Sequence, residues 1–179
     1  MRTLILYTSS TGSTQKYAEA IASGIHGDIY PLKKYKWKDI DQYDSIVYGG
    51  WVMGNKIQGI DKFLCHIDEM EKKNVLIFAS GMSVVTSASR DNLISTNVLD
   101  IYHVRFYQLR GSFDYSKLHF PYSLLMKTSL KQIANDPERA GESEMLSGLL
   151  DHPFEYYDQQ GVDKILSVLH RLSAINNEQ

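Results

Sequence analysis

The sequence predicts an α/β fold built on a parallel sheet, and three observations carry that prediction. Short apolar runs at Leu4–Tyr7, Ser45–Gly50 and Asn74–Ala79 have the length and continuity of strands buried on both faces. Segments with apolar residues at helical spacing lie between them. The resulting rhythm over the first 80 residues is strand, helix, strand, strand, helix, strand, the pattern of right-handed crossovers feeding one parallel sheet.

The elements follow in order. Leu4-Ile5-Leu6-Tyr7 is the first strand, and a Ser/Thr/Gly cluster separates it from a helix with Tyr17, Ala18, Ile21, Ala22 and Ile25 on one face. Gly27 is expected to close that helix. Asp28-Ile29-Tyr30-Pro31-Leu32 reads as a short, edge-like second strand, since proline cannot donate to a ladder. Ser45–Gly50 is the third strand, Ile60–Met70 a helix carrying Phe63, Leu64 and Ile67, and Asn74–Ala79 the fourth strand. Ser89–Val98 is expected to be helical, and Val104–Leu109, ending at Gly111, to be the fifth strand.

Beyond it, Ser116–Ile133 reads as a helix with Leu118, Tyr122, Leu125, Met126 and Ile133 on one face. Asn135–Ser147 is polar and reads as a loop or short helix. The last helix has Asp158 as its candidate cap and Val162, Ile165, Leu166, Leu169 and Leu172 as its buried stripe. With no repeat, linker or low-complexity tract, residues 1–179 are expected to form a single domain with a helical insertion around 113–153.

Composition narrows the function classes. Hydrophobic residues make up 43% and charged residues 22%, ordinary for a soluble globular protein. A net charge of −2 argues against nucleic acid as the main partner. The basic run Leu32-Lys33-Lys34-Tyr35-Lys36-Trp37-Lys38 is read as a solvated connection. A lone Cys65 excludes an intramolecular disulfide and any cysteine cage, and it sits on an apolar helical pattern that suggests buried filler. The six histidines show no paired metal spacing, and no nucleophile-elbow motif occurs. The N-terminal apolar run stops at Thr8-Ser9-Ser10, too early for a secretory signal, so a cytoplasmic location is expected. No stretch has the length of a transmembrane helix.

The chemistry-bearing segment is Ser9-Ser10-Thr11-Gly12-Ser13-Thr14, hydroxyl residues around one glycine between the first strand and its helix. Ligands of open α/β sheets sit outside the carboxyl ends of the strands, where this segment lies. The first N–H groups of a helix have no intrahelical partner and the dipole adds positive potential, so a phosphate fits here. Gly12 lets the chain turn closely around the anion, and hydroxyls donate further bonds. A Walker loop needs a Gly-Lys pair, which the chain lacks, and the dinucleotide fingerprint needs three spaced glycines. The alternative is an ordinary turn and helix cap.

The loop resembles the flavodoxin phosphate signature Thr-x-Thr-Gly-x-Thr, with Ser9 in place of the first Thr and Thr11, Gly12 and Thr14 matching. That resemblance implies a three-layer α/β/α flavodoxin-like sandwich, a five-stranded parallel sheet in order 2-1-3-4-5, and noncovalent FMN. It also implies two further flavin loops after the third and fourth strands, Gly50-Trp51-Val52-Met53-Gly54 and Ser80-Gly81-Met82-Ser83-Val84. Trp51 would stack on the flavin ring and disfavour the electron-rich reduced form; the alternative is that it plugs the sheet end. Met53 and Met82 would line the ring through thioether contacts or fill gaps in the core.

Electron-carrier flavodoxins are strongly acidic, and this near-neutral chain departs from them. Its C-terminal half, with Tyr115, Lys117-Leu118, Leu124-Leu125-Met126-Lys127 and Phe154-Glu155-Tyr156-Tyr157-Asp158, resembles the flavodoxin-domain family that includes the menaquinone-dependent protoporphyrinogen dehydrogenases. The implied function is an FMN oxidoreductase, with a redox protein or a quinone- or porphyrinogen-type small molecule as partner. Phe120, Tyr122, Leu124, Leu125 and Met126, with Lys117, Lys127 and Lys131, would then meet a lipophilic acceptor or a membrane surface, or else pack as core. Two other readings stay open: an electron carrier for protein partners, and a flavin-free interaction module.

Overall fold

The computed structural model describes residues 1–102, 104–134, 148, 150 and 152–177. The expected alternation is present: β1 (Thr3–Thr8), α1 (Ser13–Ile25), β2 (Asp28–Pro31), β3 (Ser45–Met53), β4 (Lys56–Ile57), α2 (Ile60–Leu64), β5 (Asn74–Gly81), α3 (Ser87–Thr96), β6 (Arg105–Phe113), α4 (Tyr122–Ala134), β7 (Phe154–Tyr157) and α5 (Gln159–Asn177). The sheet runs β2-β1-β3-β5-β6-β7, with β4 attached to β3. Pairings from β2 through β6 are parallel.

Counting those parallel strands alone, the order is the expected 2-1-3-4-5, but the expected sheet of five strands is incomplete. Two antiparallel additions, β4 on β3 and β7 on β6, make the sheet mixed. β4 exists because Gly54 and Asn55, both at positive φ (53° and 61°), fold the end of β3 back as a two-residue hairpin. β7 pairs with β6 only at Gly111 and Phe113, a short register that an isolated four-residue run does not announce.

Strand alternation sorts the core onto both faces. Leu4, Leu6, Ile46, Tyr48 and Ile77 point to the side covered by α2 and α3, with Phe63 and Leu93. Ile5, Val47, Leu76 and Phe78 point to the side of α1 and α5, meeting Tyr17, Ile21, Val162, Ile165 and Leu169. Asp158 caps α5 as expected, its Oδ1 accepting the Gly161 N–H at 2.9 Å. No helix among the described residues is long and apolar enough to cross a membrane.

Several local expectations are corrected. The residue that ends α1 in the left-handed conformation is His26 (φ 52°), and Gly27 serves close packing, since a Cβ there would lie 2.6 Å from Ile5 Cδ1. The helix expected over Ile60–Met70 breaks after Leu64 and resumes as a 3₁₀ turn at Ile67, because His66 leaves helical geometry and stacks on Trp37 at 3.7 Å. Cys65, expected buried, is exposed at that break. α3 starts at Ser87, where Thr86 and Ser89 form a capping box.

The helix expected from Ser116 is a 3₁₀ turn at Tyr115–Lys117 followed by α4 from Tyr122, since Pro121 cannot sit inside a helix. Leu118 is buried, but Leu125 on the expected buried face is exposed. The loop or short helix expected at 135–147 lies outside the described residues.

Candidate functional site

The loop after β1 begins with Ser9, whose Oγ accepts the Gly12 N–H at 3.2 Å. Gly12 then takes φ 97°, a conformation costly for any residue with a Cβ, and starts α1. No side chain among the described residues caps this helix. The N–H groups of Ser13, Thr14 and Gln15 therefore open α1 without intrahelical acceptors. The space in front of Gly12 is open: a Cβ there would meet nothing within 4 Å.

The hydroxyls divide into two sets. Ser13 Oγ accepts the Ser112 N–H at 3.0 Å, tying the loop to β6. Thr14 Oγ1 and Ser80 Oγ lie 2.7 Å apart, both residues nearly fully buried, tying it to β5. Those two hydroxyls are scaffold. Ser10 and Thr11 are half-buried, line the adjoining cleft and make no side-chain hydrogen bond among the described residues.

That cleft, about 290 Å³, lies outside the carboxyl ends of β1, β3, β5 and β6. It gathers Ser9, Ser10 and Thr11 from the first loop with Ser13 and Thr14 from the start of α1, Trp51, Val52 and Met53 from the end of β3 (not, as expected, from a loop beyond it) with Gly54 from the turn that follows, and Ser80, Gly81, Met82 and Ser83 from the end of β5 and the residues after it. Gly12 and Gly50, also expected there, are not in its lining. Gly12 is exposed at the apex of the loop, and Gly50 is buried in β3 against Ile57 of β4. Ser80 and Gly81 belong to the end of β5 and not to the loop beyond it.

Sequence reasoning missed Asn55, Ser112, Phe113, Leu118 and Met126, which complete the lining. For Asn55 the available signal was the Gly54-Asn55 pair, a recognised hairpin turn. Tyr122 was also unassigned to the site: its ring meets Trp51 edge-on at 4.8 Å and 84°, and its hydroxyl donates to Gln58 Oε1 at 3.2 Å. Gln58 is held from behind, its carbonyl accepting the Tyr48 hydroxyl at 2.6 Å. Burial pushes the Tyr48 phenol well above its ordinary range, so it remains a donor.

Among the described residues no charged side chain lines the cleft. Arg110 lies just behind it, its Nε–H donating to the Met82 carbonyl at 3.1 Å while its guanidinium sits 4.9 Å from the Phe154 and Tyr156 ring centroids. Among the described residues, backbone dipoles and the start of α1 are thus what the loop presents to an anion. Such an arrangement holds an anion of moderate charge through N–H donors and offers an aromatic and thioether surface beside it.

A search of curated proteins finds no match. Among solved structures, an archaeal flavodoxin is similar at 19% identity and TM-score 0.42, covering 60% of this chain and 85% of its own. Two-electron reduced Megasphaera elsdenii flavodoxin matches at 19% and TM-score 0.43, covering 59% and 82%. A Lactobacillus acidophilus flavoprotein in complex with FMN matches at 21% and TM-score 0.42, covering 61% and 91%. The family model described as "Flavodoxin domain" matches residues 4–140, which takes in β1 through β6, all three loops of the cleft and α4. The chain belongs to the flavodoxin-domain family.

Proposed function

We propose that this protein binds FMN noncovalently in the cleft and acts as an oxidoreductase that passes electrons through it. The uncapped start of α1, open to the cleft beside the free hydroxyls of Ser10 and Thr11, is the observation that carries this reading. The N–H groups of Ser13, Thr14 and Gln15 would hold the phosphate. Trp51 would cover one side of the ring, with Met53, Gly81, Met82 and Ser83 along its edge. FMN supplies the redox chemistry when bound. The chain contributes anchoring, stacking and exclusion of water, and no side chain is assigned as acid, base or nucleophile.

A small-molecule oxidoreductase, of the kind represented by the protoporphyrinogen dehydrogenases, is favoured over a carrier for protein partners by one specific observation. Phe120, Leu124 and Leu125 are 78%, 58% and 49% exposed on the segment whose Leu118 and Met126 line the cleft. An apolar face of this kind next to a redox site suits a lipophilic electron acceptor. Cytoplasmic operation fits the lone unpaired Cys65.

The test is the visible spectrum of the purified protein after FMN is added and the excess removed by desalting. Retained flavin bands are expected, and a Thr11→Asp variant should lose them while keeping its far-UV circular dichroism. A folded protein that stays colourless would overturn the FMN reading and favour a flavin-free interaction module. Turnover with a porphyrinogen or quinone separates the enzyme from the carrier.

A further inference from the structure

A second cleft adjoins the first on the β2 side of the loop. It measures about 1130 Å³ and shares Ser9 with the first cleft. Tyr122, which meets Trp51 edge-on, forms part of its wall, so the Tyr122–Gln58 pair stands as a partition between the two spaces. Three lysines line it: Lys33 and Lys34 from the turn after β2, and Lys62 from α2. All three are exposed, and none makes an ion pair among the described residues. The single carboxylate in the lining, Asp61, is already paired with Lys56 at 3.0 Å.

The cleft is therefore a local excess of positive charge on a chain whose net charge is −2. Part of its wall is anchored to the core. Trp37 stacks on His66 at 3.7 Å and 12°, and Trp37 also contacts the buried Phe63, which anchors the stack to the core. A stacked aromatic pair and three lysines in the wall of one cleft suit a ligand with an apolar body and carboxylate or phosphate groups.

We infer that this lysine-lined cleft is a docking site for the anionic groups of the small molecule that exchanges electrons at the neighbouring cleft. The inference rests on the proposed function, and it assigns a role to the basic run that the flavin reading leaves unused. Lys33, Lys34 and Lys62 draw in the carboxylate or phosphate groups, while Trp37 and Tyr122 bracket the apolar body. The redox-active part then lies against the partition beside Trp51.

The test uses the FMN-loaded protein, chemically reduced under anaerobic conditions and mixed at low ionic strength with ferricyanide or hexaammineruthenium(III). Each oxidant molecule takes one electron, so two are consumed per reduced flavin as it returns to the oxidised form and releases its protons. Two variants carry the same change in net charge: Lys33→Glu with Lys62→Glu in the cleft, and Lys72→Glu with Lys164→Glu away from it. The cleft variant is expected to slow ferricyanide by about tenfold and to accelerate the ruthenium complex, while the distant variant changes either by less than about twofold. Equal effects from the two variants would overturn the inference. So would loss of bound FMN from the cleft variant, which would assign the lysines to the flavin phosphate.

A second readout does not need flavin. In a Trp51→Phe background the remaining tryptophan is Trp37, and iodide should quench its fluorescence more strongly than caesium once each ion is scaled to its quenching of free N-acetyltryptophanamide. The preference should reverse with Lys33→Glu and Lys62→Glu. Equal quenching by the two ions would overturn the inference. A protein that binds no FMN fails the proposed function in its visible spectrum, and the quenching experiment still decides the cleft.

Discussion

At the scale of single residues, the hydroxyls of the first loop look equivalent in the sequence and are not. Ser9, Ser10, Thr11, Ser13 and Thr14 were all readable as anion ligands because they sit between an apolar strand and a helix. That Ser13 and Thr14 instead use their side chains as scaffold depends on Ser112 and Ser80, far away in the chain, and nothing local encodes it. The distinction predicts opposite outcomes for the same substitution. Thr11→Asp places a carboxylate at the open cleft, so FMN retention is lost while the urea midpoint changes little. Thr14→Asp buries a carboxylate beside Ser80, and the expected result is a fold destabilised by several kcal/mol, on the order of the cost of an unpaired buried charge, seen as a lowered urea midpoint. Trp51→Ala should weaken FMN by about tenfold, the scale of one stacked aromatic contact, measured by quenching of flavin fluorescence.

At the scale of elements, the buried strands were the most legible part of the fold. β1, β3 and β5 announce themselves because a strand covered on both faces must be apolar at every position. β7 was not legible, since only its docking on β6 makes it a strand. What holds that docked corner together is Tyr17 of α1. Its hydroxyl donates to the Arg110 carbonyl and accepts the Asp158 N–H at 2.7 Å, and its ring stacks on Tyr157 at 4.9 Å. Tyr17→Phe should therefore cost about 1–3 kcal/mol in urea unfolding, because it removes two hydrogen bonds to part-buried backbone groups. Burial raises the Tyr17 phenol from 10.0 to about 12, so the folded state holds that proton more tightly than the unfolded chain. Its contribution is complete below pH 10.0 and is lost as pH rises toward 12. The urea midpoint should fall over that window in the parent protein, and fall less in Tyr17→Phe.

At the scale of the whole molecule, three surfaces of different chemistry converge at one end of the sheet: the uncharged cleft, the lysine-lined cleft beside it and the exposed apolar face of α4. Placing the first was possible from sequence because strand ends and glycine-bearing loops mark it. The other two were visible only as composition, a basic run and an apolar helix, and either one reads equally well as solvated connection or as core until the fold fixes which side faces out. The fold decides the matter for this segment: the 3₁₀ turn stops at Lys117 and α4 begins only after Pro121, so that Leu118 lines the cleft while Phe120, Leu124 and Leu125 stay in water. Exposed apolar side chains contribute little to folding, so Leu124→Asp with Leu125→Asp should leave the unfolding free energy in urea within about 0.5 kcal/mol of the parent. If the face serves a lipophilic acceptor, the same variant should lose most of its rate with a water-insoluble quinone in detergent micelles while its rate with ferricyanide is unchanged. A large loss of stability would instead identify Leu124 and Leu125 as core, and equal loss with both oxidants would place the damage in the flavin cleft.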